Sequence, residues 1–107
     1  MILTSEIKEK AMKPIIAEIQ IVPVKPHNGL VAFASFVLDN NLYLGSIAIY
    51  TRPEGGYRLV YPTKELGAKN INLFHPINRD FAQIVEKEII KKFEDVMKND
   101  RYNRFGV

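Results

Sequence analysis

Turn residues cut the first half of the chain into apolar runs, too closely spaced for anything but hairpins. Residues 15–51 read IIAEIQIVPV, KPHNG, LVAFASFVLD, NN and LYLGSIAIYT, in that order. In the first run Ile15, Ala17, Ile19 and Ile21 alternate with Ile16, Glu18 and Gln20, the period-two pattern of a half-buried strand. Pro23 cannot donate to a ladder, so this strand, residues 15–24, ends at a sheet edge or a bulge. Asn28-Gly29 is a hairpin signal, because both residues tolerate positive φ. The second run, residues 30–39, is apolar on both faces, and Ala32, Ala34 and Ser35 keep it thin enough for close packing. Asp39-Asn40-Asn41 predicts another tight turn. Residues 42–51 form the third run, where Gly45 marks a bulge or a close backbone approach. Strands joined by such short turns pair antiparallel.

After the RPEGG turn, residues 57–62 predict a fourth strand, TKELGAKN a polar loop, and residues 71–75 a short fifth strand. A helix follows. Asn78 suits the N-cap and Asp80 sets a negative charge in the first turn. Phe81, Ile84, Val85, Ile89, Phe93, Val96 and Met97 recur at helical spacing as one apolar stripe. Pro76 cannot lie within that helix and biases His75 toward an extended conformation. His75-Pro76-Ile77-Asn78 therefore reads as a strand exit, a rigid bend and a cap. Strands followed by a helix predict an α+β fold, with a small antiparallel sheet of four to five strands and a C-terminal helix.

A length of 107 residues suits one domain. That domain is expected over residues 14–98. Residues 1–13, charged and closed by Pro14, are expected as an N-terminal extension outside the core, either a short amphipathic helix or loose chain. Residues 99–107 are expected as a C-terminal tail. With 47% hydrophobic and 25% charged residues the chain can bury a conventional core. No apolar run approaches the roughly 18 residues of a membrane span, so no membrane insertion is expected and the expected localisation is cytoplasmic. The chain has no cysteine, which excludes a disulfide framework, a zinc–thiolate site and a cysteine nucleophile.

Chemistry-bearing patterns are few. PEGGY lacks the Lys-Ser/Thr sequel of a phosphate loop, and there is no Gly-x-Ser-x-Gly elbow. His27 and His75 are the only histidines and lie far apart, so no metal site is expected. Asp39, Glu54, Glu65 and Asp80 are carboxylates that acid–base chemistry would need to converge; each is explained more simply as a turn, loop or cap residue. No catalytic residue and no cofactor are assigned, and an enzyme is not expected.

The net charge is +3, and residues 1–29, 30–78 and 79–107 each carry +1, so a basic surface has to be assembled by folding. The helix balances its basic and acidic side chains, as a solvated face does. The better candidate is YTRPEGGYRLVYPTKELGAK, where Arg52, Arg58, Lys64 and Lys69 alternate with Tyr50, Tyr57 and Tyr61. Cations meet phosphates and aromatic rings stack on bases. Tyr57, Leu59 and Tyr61 also share one side of a strand, which is ordinary sheet packing.

The succession of IAEIQIVPV, GLVAFASFVLDNNLYLGSIAIY, YRLVYPTK and HPIN with its helix resembles the SpoVG (stage V sporulation protein G) family over roughly residues 15–98. The most specific parts are Ala32-x-Ala34-Ser35 leading to Leu38-Asp39, the Pro62-x-Lys64 step, and His75-Pro76-Ile77-Asn78. The resemblance implies a dimeric α+β domain that acts as a cytoplasmic regulator binding DNA and RNA, linked to sporulation, septation and gene expression. A small open sheet leaves strand edges unpaired, so dimerisation through the sheet is expected. Lys64 matches the family's Pro-Ser-Lys-Arg pattern, here Pro62-Thr63-Lys64-Glu65, and Glu65 departs from it by reversing a charge. On this reading Arg52, Arg58, Lys64, Lys69 and Arg79 supply phosphate contacts, with Tyr57 and Tyr61 as stacking surfaces. The alternative is a protein-interaction module in septation or sporulation control, with cell-division or regulatory proteins as partners and no nucleic-acid contact.

Overall fold

The computed structural model describes residues 13–106, with side chains to residue 99. The extension expected over residues 1–13 lies outside the described residues, Lys13 excepted.

The turns behave as their residues require. Asn28 and Gly29 have φ of 51° and 90°, and Asp39 and Asn40 have 52° and 58°. Positive φ at both central positions matches the right-handed twist of the flanking strands. The Asp39 carboxylate also accepts a hydrogen bond from the Ile15 backbone N–H at 2.9 Å, and the Asp39 N–H donates to the Ile15 carbonyl at 2.9 Å. These turns join β1 (Ile16–His27), β2 (Leu30–Leu38) and β3 (Leu42–Thr51) into an antiparallel meander, and β4 (Tyr57–Val60) completes a sheet of order β1-β2-β3-β4.

Pro23 sits opposite Ala32 on β1, which is an edge strand, and the register shifts just beyond it. Both expectations for Pro23 hold. On β3 the pairing jumps from Phe36↔Leu44 to Ala34↔Ile47, so Gly45 and Ser46 together oppose Ser35. That is a bulge, and Ser46 takes φ of 60° to form it. The approach at Gly45 is by a side chain and not by backbone: a Cβ there would lie 3.0 Å from the Tyr43 ring.

Helix α1 (Arg79–Gly106) covers one face of the sheet. Asn78 Oδ1 accepts the Phe81 N–H at 3.0 Å and the Asn78 carbonyl accepts the Ala82 N–H at 2.9 Å, the geometry of an N-cap. Val85, Ile89 and Phe93 bury against Ala32, Ala34 and Phe36 of β2 and Ile47 and Ile49 of β3. Small residues on β2 let the helix approach the middle of the sheet, while larger ones flank it, among them Ile19, Ile21, Tyr57 and Leu59. Each fully buried Ile or Phe contributes about 1.5–3 kcal/mol relative to exposure. The helical stripe differs in three places from its sequence pattern. Val96 is half-buried and does not join the core cluster. Ile84 is 39% exposed, and Ile90 joins the core margin. The helix also continues to Gly106, through the residues expected as a tail.

One segment departs from expectation. TKELGAKN is not a loop, and the fifth strand does not occupy residues 71–75. β5 (Thr63–Leu66) and β6 (Lys69–Asn72) form a separate antiparallel hairpin, turned at Gly67 with φ of 63°. All eight strand residues are exposed, so no buried face imposes a period-two pattern, and Lys, Glu and Asn depress strand propensity. Hence the sequence carried no strand signal here. Among the described residues no helix is long and apolar enough to cross a membrane.

Candidate nucleic-acid interface

The hairpin organises two of the five sequence-predicted cations. Thr63↔Asn72, Lys64↔Ile71, Glu65↔Asn70 and Leu66↔Lys69 are the paired positions. Successive residues of a strand point to opposite faces, so Lys64, Leu66, Lys69 and Ile71 share one face, and Thr63, Glu65, Asn70 and Asn72 share the other. Lys64 and Lys69 are diagonal neighbours, about 7–8 Å apart by sheet geometry. Glu65, the charge reversal, faces away from both. It therefore leaves the cationic face intact.

The other cations are dispersed. Arg58 pairs with Tyr50 across β3 and β4, and its guanidinium lies 5.0 Å from the Tyr50 ring centroid, a cation–π contact. The neighbouring pair, Ile49↔Leu59, faces the helix, so Arg58 and Tyr50 lie on the opposite, uncovered face. Arg52 belongs to the helix side: its Nε donates to the Tyr57 carbonyl at 3.1 Å, and its Nη2 is 4.0 Å from Glu86 Oε2 of α1. Part of its charge is met within the fold. Arg79 heads α1 and is exposed. Lys87 and Lys91 line a shallow groove with Tyr57, Gln83, Glu86, Ile90 and Glu94, so two carboxylates share it with the two cations.

Tyr57 and Tyr61 are engaged in packing. Tyr57 meets Phe93 edge-on at 4.9 Å between centroids, and Tyr61 meets Phe74 at 6.0 Å. Burial, reinforced by the Glu86 carboxylate, pushes the Tyr61 phenol up to about 12. Both rings are half-buried. Among the described tyrosines and phenylalanines the ring most open to solvent is Tyr43, 68% exposed, on the same uncovered sheet face as Val22 and Phe33. Sequence reading passed over it because Tyr43 sits in an apolar run far from any cation.

The histidines are separate and exposed. His75 Nδ1 lies 3.0 Å from the Pro76 carbonyl, to which its N–H donates, and the Asn28 amide donates to His27 Nε2 at 3.2 Å. Among the described residues no three metal-ligating side chains gather. Of the four carboxylates considered for chemistry, Asp39 and Asp80 border one groove with Pro14, Leu38, Asn78, Phe81 and Ile84. Asp39 is occupied there with the Ile15 N–H. Glu54 stays in the 52–56 turn and Glu65 on the hairpin.

The sequence profile of the SpoVG family matches residues 12–95. No curated protein matches the chain.

Proposed function

The chain belongs to the SpoVG family, and from that membership we propose a homodimeric, non-enzymatic regulator that binds DNA or RNA through phosphates. Membership supports a sporulation-associated regulator; the nucleic-acid and septation roles and the dimer are part of the proposal. The observation that carries it is the hairpin face, where Lys64 and Lys69 stand exposed and Glu65 is turned away. Arg58, splayed over Tyr50, and Arg79 extend the set of cations, and Arg52 contributes less because Glu86 faces it.

Such contacts bind by charge and position the protein without reading sequence. Two copies bring the same cations twice, which matters because each subunit offers few. With five or six phosphates neutralised per dimer, log affinity falls with log salt at a slope of about −5. Fluorescence anisotropy of a labelled oligonucleotide across several salt concentrations measures this. Lys64→Ala with Arg58→Ala is expected to weaken binding to every sequence alike. Flat binding, micromolar or weaker at low salt, would overturn the reading.

A second reading draws on the uncovered apolar face formed by Val22, Phe33 and Tyr43. Under it the chain engages a protein partner in septation or sporulation control. Pull-down with and without nuclease separates the two, since only protein-mediated partners survive nuclease.

A further inference from the structure

Two elements of this fold each lack a neighbour. β4 pairs only with Ala48–Thr51 of the ten-residue β3. Among the described residues, no backbone hydrogen bond outside the β2 ladder reaches Leu42–Ser46. That stretch is an open edge of unpaired N–H and C=O groups, and its Leu42 and Tyr43 are 53% and 68% exposed. Such edges are normally covered or blunted with charge. This one carries no charged residue.

The β5–β6 hairpin is the complementary case. Among the described residues it pairs with no third strand and makes no extensive contact with another element, although an isolated two-stranded hairpin is marginally stable in water. Leu66 and Ile71 remain exposed on it, and Leu73 follows at its base. Its four-residue strands fit within Leu42–Ile47, the six β3 residues that β4 leaves unpaired.

Within one chain the two do not meet. Val60 is the last β4 residue in register with β3, and the bulge at Gly45–Ser46 begins the region where pairing stops. Pro62 lacks an N–H to continue the ladder, and its carbonyl instead accepts the Leu73 N–H at the hairpin base. The chain thus leaves the sheet at the point where the open edge starts.

We propose that the β5–β6 hairpin is an exchange arm, pairing with the open Leu42–Ser46 edge of β3 in a second copy while that copy's arm returns the contact. The proposal rests on the homodimer reading and specifies its interface. Exchange of identical elements is a low-cost route to a closed two-fold dimer, and strand addition draws its energy from main-chain hydrogen bonds. Pairing consumes a hairpin edge and leaves its faces free, so Lys64 and Lys69 stay available for phosphate.

The chain has no cysteine, so introduced thiols report without background. Full-length Tyr43→Cys and Ile71→Cys proteins, both changed at exposed positions, are mixed and treated with a short bis-maleimide. Tyr43→Cys mixed with Glu54→Cys sets the collisional background, and light scattering gives the mass of the untreated protein. Arm exchange predicts a dimeric mass and a Tyr43→Cys/Ile71→Cys adduct about tenfold or more above background, because pairing raises effective concentration. A dimeric mass with that adduct at background, or with Tyr43→Cys linking mainly to itself, overturns arm exchange and spares the homodimer. A monomeric mass overturns both.

Discussion

Individual side chains in this protein act mostly through the backbone they fix. Asn78 satisfies the Phe81 N–H at the start of α1, so Asn78→Ala is expected to cost about 1 kcal/mol. Urea unfolding would show this as a lower midpoint with an unchanged slope. Tyr61 gives a different signature. Its phenol is raised to about 12 by burial and by Glu86, so the folded state holds that proton more tightly than the unfolded chain does. The associated stability is intact below pH 10 and declines as pH rises from 10 toward 12. Among five tyrosines, absorbance titration should show a last step near pH 12, and Tyr61→Phe should remove it. A residue-level reading of the sequence located Asn28, Asp39, Asn40 and Asn78 correctly, because turns and caps are governed by a residue's own φ preference and reach.

Elements differ in how much neighbours decide them. α1 was legible because one buried face stamps a period of 3.6 on the sequence, and β2 to β4 because turn residues bound their apolar runs. In β1 the period-two face Ile15, Ala17, Ile19 and Ile21 is interrupted at Glu18, where φ is 49° and the register shifts, so that Ile16 packs on the core and Ile15 is exposed. Ile89 is fully buried between helix and sheet, and Ile89→Ala is expected to cost about 2–5 kcal/mol in denaturant unfolding. The β5–β6 hairpin escaped detection for the opposite reason: exposed on both faces, it has no period to display. Hydrogen exchange probes its place in the assembly. With arm exchange, amides of residues 63–72 gain protection as protein concentration rises, while those of residues 32–36 and 47–49 stay protected throughout.

At the scale of the whole molecule, charge is the quantity that folding redistributes. Each third of the sequence carries +1, yet Lys64 and Lys69 gather on one hairpin face, Arg58 moves to the uncovered sheet face and Arg52 turns toward Glu86. If two such sets act together on one polyanion, a variant held monomeric should bind with half the salt slope, about −2 to −3 in log–log form. Anisotropy titrations of the dimer and of that variant, run side by side, make the comparison.

What the sequence determined by itself was the meander, the cap, the helix and the family, since these depend on local φ preferences and on one-sided burial. Only the tertiary structure decided which way each charge and ring faces. It put Glu65 on the other hairpin face from Lys64, engaged Tyr57 and Tyr61 with Phe93 and Phe74, and left both the β3 edge and the hairpin without a further strand partner among the described residues. Those outcomes follow from register and from where pairing stops, and a one-residue change in either would reverse the faces without altering the composition.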